Sequence, residues 1–282
     1  MYHLQLPAHQ IVDLYPNCVN RTDNEVLRLS LMAESERVFS RSATYHELAQ
    51  ILQLHRIQEE GAIHVSNADL GNLYDRVLVN GGEYHVYRSI RRNCHFGRCP
   101  LCAQRDVRTL DHYLPKSSFP EFAVLPMNLV PCCFDCNHAK WSHSPTALED
   151  QLFHPYFDNW DHLEIIRASI ETAEIVYAEF FVDTEHLPDP IAQRAALHFK
   201  KLGLASLYSD NASVELVQRR EDFWMTFDSG GPDALRMELL REAQSRRAPF
   251  PNAWQPTLYR ALADSDDFVN GGFLAIEGQP VV

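Results

Sequence analysis

The chain has 282 residues, and its hydrophobic and charged fractions of 45% and 22% are those of a globular protein that can bury its own core. A formal net charge of −13 argues against a protein that coats nucleic acid through bulk electrostatics. The sequence shows neither a secretory signal nor an apolar stretch long enough to span a bilayer, so we expect a cytoplasmic protein without a membrane partner.

Helical patterns dominate residues 1–93. Thr44, with Glu47 three residues later, forms a capping box that predicts the start of a helix. Three further helices are expected to follow Thr22, Ser66 or Asn67, and Gly82. A helix-turn-helix over residues 44–80 is one interpretation, and packing of these helices on the next module is the one we favour.

Four cysteines form two tight pairs, Cys99 with Cys102 and Cys133 with Cys136, separated by thirty residues. In a reducing compartment, two such pairs predict one structural zinc, because four thiolates complete a tetrahedral site and leave no open position. A mixed ligand set that includes His138 is a minor alternative. The remaining cysteines are expected to pack as small hydrophobic side chains: Cys18, Cys94 and Cys132.

The region after the second pair predicts a β-hairpin and then helices. Residues 163–170 and 173–182 are the two β-rich runs, and Pro232 opens one of the helices that follow Pro190. No internal repeat, low-complexity tract or flexible linker interrupts the chain, so we expect one compact α+β unit. Its expected regions are a helical part at 1–93, a metal module at 94–145, and a hairpin-plus-helix part at 146–282.

The residues between the cysteine pairs hold a pattern that a structural zinc does not require. They contain the runs LDHYLPKS and Asn-Leu, and the second pair continues as CNHAK. In order, spacing and residue identity, this stretch resembles the HNH, or ββα-metal, endonuclease family over about a seventh of the chain. The run FHPYF at 153–157 resembles stand-alone bacterial HNH proteins, several of which belong to anti-phage systems. The resemblance implies a ββα-metal zinc module in a mostly helical protein with an added β-hairpin.

The resemblance also implies roles for four residues. His112 would be the general base, a task that suits an imidazole whose ordinary pKa lies near neutrality. Asp111, on the opposite face of the strand, would hold one catalytic Mg²⁺ or Mn²⁺ together with Asn137, since hard oxygen ligands suit these ions. Asn128 would hold the strand that carries His112 through backbone hydrogen bonds. Asn137 stands where histidine is common, a variant that occurs in the family.

Basic residues near the motif are candidate phosphate contacts. Lys116 and Lys140 are the nearest, and an ordinary solvated lysine is the alternative for each. Residues 88–140 contain eight basic and four acidic side chains, which suits a phosphate-bearing substrate, although chance gives such a count too. Four basic doublets on predicted helices are weaker candidates: Arg91-Arg92, Lys200-Lys201, Arg219-Arg220 and Arg246-Arg247.

Together these patterns predict a metal-dependent HNH endonuclease that nicks or cuts DNA and, as the family does, leaves 5′-phosphate and 3′-hydroxyl ends. Acidity outside the motif suggests weak intrinsic DNA affinity, so we expect a partner protein that recruits or activates it in anti-phage defence. Two alternatives stay open: a zinc-stabilised nucleic-acid-binding module without catalysis, and an RNA-directed nuclease of the HNH type.

Overall fold

A computed structural model describes residues 1–277 of the chain. The chain divides into two compact units: one spans His3–Asn159, and the other joins Met1–Tyr2 to the residues after Asn159. The expectation of a single compact unit is therefore wrong. The sequence does not predict the boundary after Asn159, because no flexible linker marks it. The fold class is α+β and mostly helical, as expected. Within the described residues, no helix is both long and apolar enough to cross a membrane.

The first unit combines short helices with one small hairpin. Its elements are α1 (Ile11–Asn20), α2 (Glu25–Ala33), α3 (Ser35–Gln50), α4 (Asn67–Gly71), α5 (Tyr84–Arg92), β1 (Thr109–His112), β2 (Leu129–Cys132) and α6 (Phe134–Lys140). A π-helical turn, Tyr74–Val79, lies between α4 and α5. β1 and β2 pair antiparallel, with His112 opposite Leu129.

Two expected helix starts in this unit differ from the structure. The capping box at Thr44 is wrong, because Thr44 lies inside α3, where its Oγ1 donates to the Ser40 carbonyl at 3.2 Å. The helix expected after Thr22 begins later, since Asn24 caps α2 by accepting from the backbone N–H of Leu27 at 3.0 Å. Ser66 does cap α4, as the sequence predicts.

One hydrophobic core connects the helices of the first unit to the hairpin. α5 buries Val86, Tyr87 and Ile90 in a cluster that also contains Leu110 of β1 and Leu129 of β2. Full burial of each such aliphatic side chain is worth roughly 1.5–3 kcal/mol. The hairpin is therefore fixed on one side by α5, although it has only two four-residue strands.

The second unit contains the expected β-hairpin and long helices. Its elements are β3 (Ile166–Glu171), β4 (Tyr177–Val182), α7 (Ile191–Lys201), α8 (Leu204–Arg247), α9 (Trp254–Asp264) and α10 (Asp266–Val269). β3 and β4 pair antiparallel, and β4 buries Ala178 and Phe180 on one face. This alternation matches the period of two expected for a half-buried strand.

α8 folds back on itself at Gly231, just before the proline that the sequence marks as a helix start. Gly231 has φ 70° and ψ −166°, a conformation that is essentially restricted to glycine. Arg219 consequently pairs with Glu242 at 3.3 Å, although a straight helix would separate them by about 35 Å. The two arms of α8 thus form a helical hairpin.

Candidate functional site

β1 presents Asp111 and His112 to opposite faces of the hairpin, because side chains alternate along a strand. The His112 ring meets the ring of Tyr74 edge-on, with centroids 4.5 Å apart. Asp111 instead contacts Lys140, the last residue of α6. The π-helical turn therefore covers one face of β1 and α6 covers the other.

His112 is oriented by the loop that joins the two strands. Its Nε2 lies 2.8 Å from the carbonyl oxygen of Ala123, which can only accept, so Nε2 carries the proton and Nδ1 the lone pair. Burial lowers the pKa of His112 to about 3, although the Ala123 hydrogen bond opposes this shift. At neutral pH, His112 is therefore a neutral imidazole in one tautomer, the form in which a general base begins.

Asp111 and Lys140 form an ion pair that is almost shielded from solvent. Lys140 Nζ lies 3.1 Å from Asp111 Oδ2, and the two side chains are 4% and 8% exposed. The same ammonium donates to the His112 carbonyl at 2.7 Å. Burial raises the pKa of Asp111, and the charge of Lys140 counteracts this rise. Lys140, a candidate phosphate contact, thus points inward toward the carboxylate in this structure.

Asn128 is the last residue of the loop that connects β1 to β2. Its side chain is fully buried and makes three hydrogen bonds to backbone. Oδ1 accepts from the Leu114 N–H at 2.8 Å, and Nδ2 donates to the Leu114 and Phe122 carbonyls at 3.0 and 3.2 Å. These bonds hold the chain that follows His112. Participation of Asn128 in catalysis stays a prediction.

The four paired cysteines come together in one buried cluster. The Sγ atoms of Cys99, Cys102, Cys133 and Cys136 all lie within 4.8 Å of one another. Backbone N–H groups point at two of these sulfurs: Arg105 N–H donates to Cys102 Sγ, and Cys136 N–H donates to Cys133 Sγ, each at 3.4 Å.

This donor set fits a zinc ion. Four thiolates around one tetrahedral zinc, each about 2.3 Å from the metal, need sulfurs within about 4 Å of one another, which is compatible with the cluster. Cys133 also caps α6, and Cys136 lies in its first turn, so the cluster fixes the start of that helix. His138 is exposed, packs against Trp141 and is outside the cluster.

The remaining candidates lie around this hairpin and α6. Asn137 is half-buried and precedes Lys140 by three residues on α6, a spacing that places both on neighbouring faces. Its amide and the Asp111 carboxylate are oxygen donors of the kind that suits magnesium or manganese. Lys116 pairs with Asp75, and its ammonium lies 5.1 Å from the centre of the Tyr74 ring.

Several supporting groups are not evident from the motif alone. The Ala123 carbonyl and the Tyr74 ring hold His112, but a backbone acceptor and a distant tyrosine leave no local signal. The run FHPYF, by contrast, is recognisable in the sequence, and its residues contact the hairpin and the residue that follows β1. Its Tyr156 hydroxyl donates to the Leu129 carbonyl at 2.8 Å, and its buried His154 packs on Tyr113 with ring centroids 4.1 Å apart.

Comparison with known proteins gives two distant relatives. The chain is 28% identical over 227 residues to the protein ea31 of Escherichia phage lambda. This alignment covers 75% of the chain and 72% of ea31. It is 22% identical over 182 residues to the Septu protein PtuB of Bacillus thuringiensis, which covers 62% of this chain and 66% of PtuB. No family model matches the chain. No solved structure matches it.

Proposed function

We propose that this protein is a metal-dependent endonuclease of the HNH type that hydrolyses DNA phosphodiester bonds. The observation that carries the proposal is the arrangement on β1, where an oriented neutral His112 adjoins an Asp111 that faces α6. α6 bears Asn137 and is capped by Cys133 of the four-cysteine cluster. The proposed base and the proposed metal ligand are thus neighbours on β1, and Asp111 lies on the face toward α6, the helix that bears Asn137.

The residues of the chain suit in-line attack by water on a phosphate. The lone pair on Nδ1 of His112 would take the proton of the attacking water, while Nε2–H stays on the Ala123 carbonyl. A phosphate beside the ring favours the imidazolium, so it raises the pKa of His112 from its low value. Asp111 and Asn137 would hold the catalytic Mg²⁺ or Mn²⁺, which supplies Lewis-acid stabilisation of the developing charge.

Lys140 and Lys116 would complete the site as phosphate contacts. Lys140 has a flexible four-carbon stem, and a phosphate oxygen can replace the Asp111 oxygen that it now contacts. Lys116 is partly exposed beside His112's neighbour Tyr74, and can exchange Asp75 for phosphate in the same way. Both exchanges keep an anionic oxygen on each ammonium.

The test is a plasmid assay with purified zinc-loaded protein and either Mg²⁺ or Mn²⁺. We expect nicked or linear DNA with 5′-phosphate and 3′-hydroxyl ends, and loss of at least a hundredfold in rate in His112→Ala. His64→Ala is the matched control, because His64 is an exposed histidine of the same unit. Equal cutting by His112→Ala would show that His112 is not the base.

A zinc-stabilised nucleic-acid-binding module without catalysis is the second candidate. The observation that favours it is the Asp111–Lys140 pair, in which an internal ammonium already neutralises the expected cation ligand. This candidate would be supported if the protein binds nucleic acid measurably but leaves it intact. The incubation would contain Mg²⁺ or Mn²⁺ and the proteins encoded by the neighbouring genes. Cleavage of RNA but not DNA in the same assay would instead identify an RNA-directed nuclease.

We further propose that the nuclease is an effector of bacterial anti-phage defence that acts with a partner protein. The similarity to the Septu protein PtuB supports this role, and the net charge of −13 makes weak unaided DNA binding reasonable. Expression with its neighbouring genes should lower the plating efficiency of sensitive phages, and His112→Ala should restore it. Unchanged plating across a broad phage panel would contradict the defence role.

A further inference from the structure

α5 has one buried and one basic face. Val86, Tyr87 and Ile90 point into the core. The exposed side chains on the other side are His85, Arg88, Ser89 and Arg92, which are spaced at i, i+3, i+4 and i+7. This spacing places all four on one stripe of the helix. The stripe, called the α5 basic face below, contains no acidic residue.

Arg88 and Arg92 differ from the arginines of the basic doublets on α8. Within residues 1–277, neither Arg88 nor Arg92 forms an ion pair. Three arginines of the doublets on α8 are neutralised instead: Arg219 and Arg246 both pair with Glu242, and Arg247 pairs with Glu164 at 3.1 Å. Arg88 and Arg92 thus place two exposed cations without ion pairs one helical turn apart on the same stripe.

A groove runs beside this face. It has a volume of about 560 Å³ and lies between the α5 basic face and the amino-terminal residues 6–8. Asn93, which follows α5, donates from its side chain to the carbonyl of Gln5 at 2.8 Å and thereby fixes the second wall. The α5 basic face thus forms one side of this open groove.

α5 is also joined to the candidate site. It contacts both strands of the hairpin, and its Tyr87 ring lies 6.3 Å from Tyr74, the residue that packs on His112. Arg91 Nη1 donates to the carbonyl of Arg108, the residue that precedes β1, at 3.4 Å. One aromatic ring therefore separates α5 from the proposed base.

We propose that the α5 basic face binds the phosphate backbone of duplex DNA beside the cleavage site. The assignment of DNA rests on the proposed function, whereas the preference for a polyanion rests on the unpaired arginines. From His85 to Arg92 the helix rises about 10 Å, which matches about three phosphates of one strand. The arginines would contact phosphates, which position the duplex without reading its sequence.

The test measures DNA binding separately from cleavage, by fluorescence anisotropy in the His112→Ala background without added divalent cation. Arg88→Ala/Arg92→Ala is compared with Arg56→Ala/Arg76→Ala, a charge-matched control of two exposed arginines in the same unit. We expect the α5 variant to bind at least tenfold more weakly. Its slope of log K against log salt should fall by about 2, whereas the control should change neither quantity.

Equal effects in the two double variants, or no binding by the parent protein, would overturn the proposal. RNA bound more tightly than duplex DNA with the same dependence on Arg88 and Arg92 would overturn the assignment to DNA. The two proposals can fail separately. Binding that depends on Arg88 and Arg92 without any cleavage by the wild-type protein rejects only the nuclease, and cleavage with unaltered binding in the α5 variant rejects only this surface.

Discussion

Lys140 Nζ lies 3.1 Å from Asp111 Oδ2, so α6 is joined to β1 by a buried ion pair. Because both partners are shielded, loss of either one leaves a charge without compensation. Lys140→Met should lower the free energy of unfolding by about 3 kcal/mol or more. Asp111→Asn/Lys140→Met should lose less than the two single variants combined. Chemical denaturation of all four proteins at neutral pH gives the coupling, and strict additivity would contradict the pair.

The stability of the protein should fall with acidification because of His112. Its folded pKa is about 3 and its unfolded pKa is near 6.5, so only the unfolded state takes up this proton between those values. The contribution of His112 is therefore complete above pH 6.5 and is lost as the pH falls toward 3. His112→Gln should flatten the pH dependence of unfolding by up to about 1.4 kcal/mol per pH unit in that window.

A matched substitution separates this effect from general acid denaturation. His64→Gln changes an exposed histidine of the same unit and should leave the slope unaltered. The same pH dependence in His112→Gln and the wild type would show that His112 titrates normally in the folded protein.

The four-cysteine cluster should bind one zinc per chain. Cys99→Ser removes a ligand and should abolish stoichiometric zinc in purified protein, measured by mass spectrometry of the metal content, and should also lower the melting temperature. Cys94→Ser, a half-buried cysteine outside the cluster, should retain the metal. Equal zinc content in the two variants would contradict the assignment of the ligands.

Asn128 should matter for stability before it matters for chemistry. Asn128→Ala removes the side-chain partners of the buried N–H and C=O groups of Leu114, at a cost of about 1–3 kcal/mol each. The Phe122 carbonyl keeps the backbone N–H of Leu125 as a donor. Asn80→Ala removes one exposed hydrogen bond, from Asn80 Nδ2 to the Asp75 carbonyl, and should change stability by less than about 1 kcal/mol. Urea denaturation compares them, and similar losses would show that Asn128 does not support the loop.

Local chemistry explains what the sequence predicts well. Two Cys-x2-Cys pairs can gather around one metal in almost any fold, so their spacing predicts the cluster. The hairpin of β3 and β4 follows from alternation within two short runs, and Ser66 caps α4 through a bond to the Asp69 N–H three residues away. Each of these features depends on neighbours in sequence.

The features that the sequence does not predict depend on contacts between residues far apart in the chain. The sequence alone does not distinguish Lys140 from a solvated lysine, because its partner Asp111 is 29 positions away and meets it only when α6 packs on β1. The capping box at Thr44 is overridden because α3 buries Val38 and Tyr45 on either side of that position. The division into two units is equally hidden, since the amino group of Met1 donates to the carbonyl of Asn252, 251 positions away.

α6 has seven residues, fewer than an isolated helix needs to persist in water. The stability of α6 therefore depends on the contacts at its two ends. These are the four-cysteine cluster at Cys133 and Cys136 and the ion pair of Lys140. If the cluster holds zinc, loss of the metal would free the first end of α6, and the turn that carries Asn137 should then unwind. Readiness of the proposed site would then follow the zinc supply of the cell, independently of how much magnesium is present.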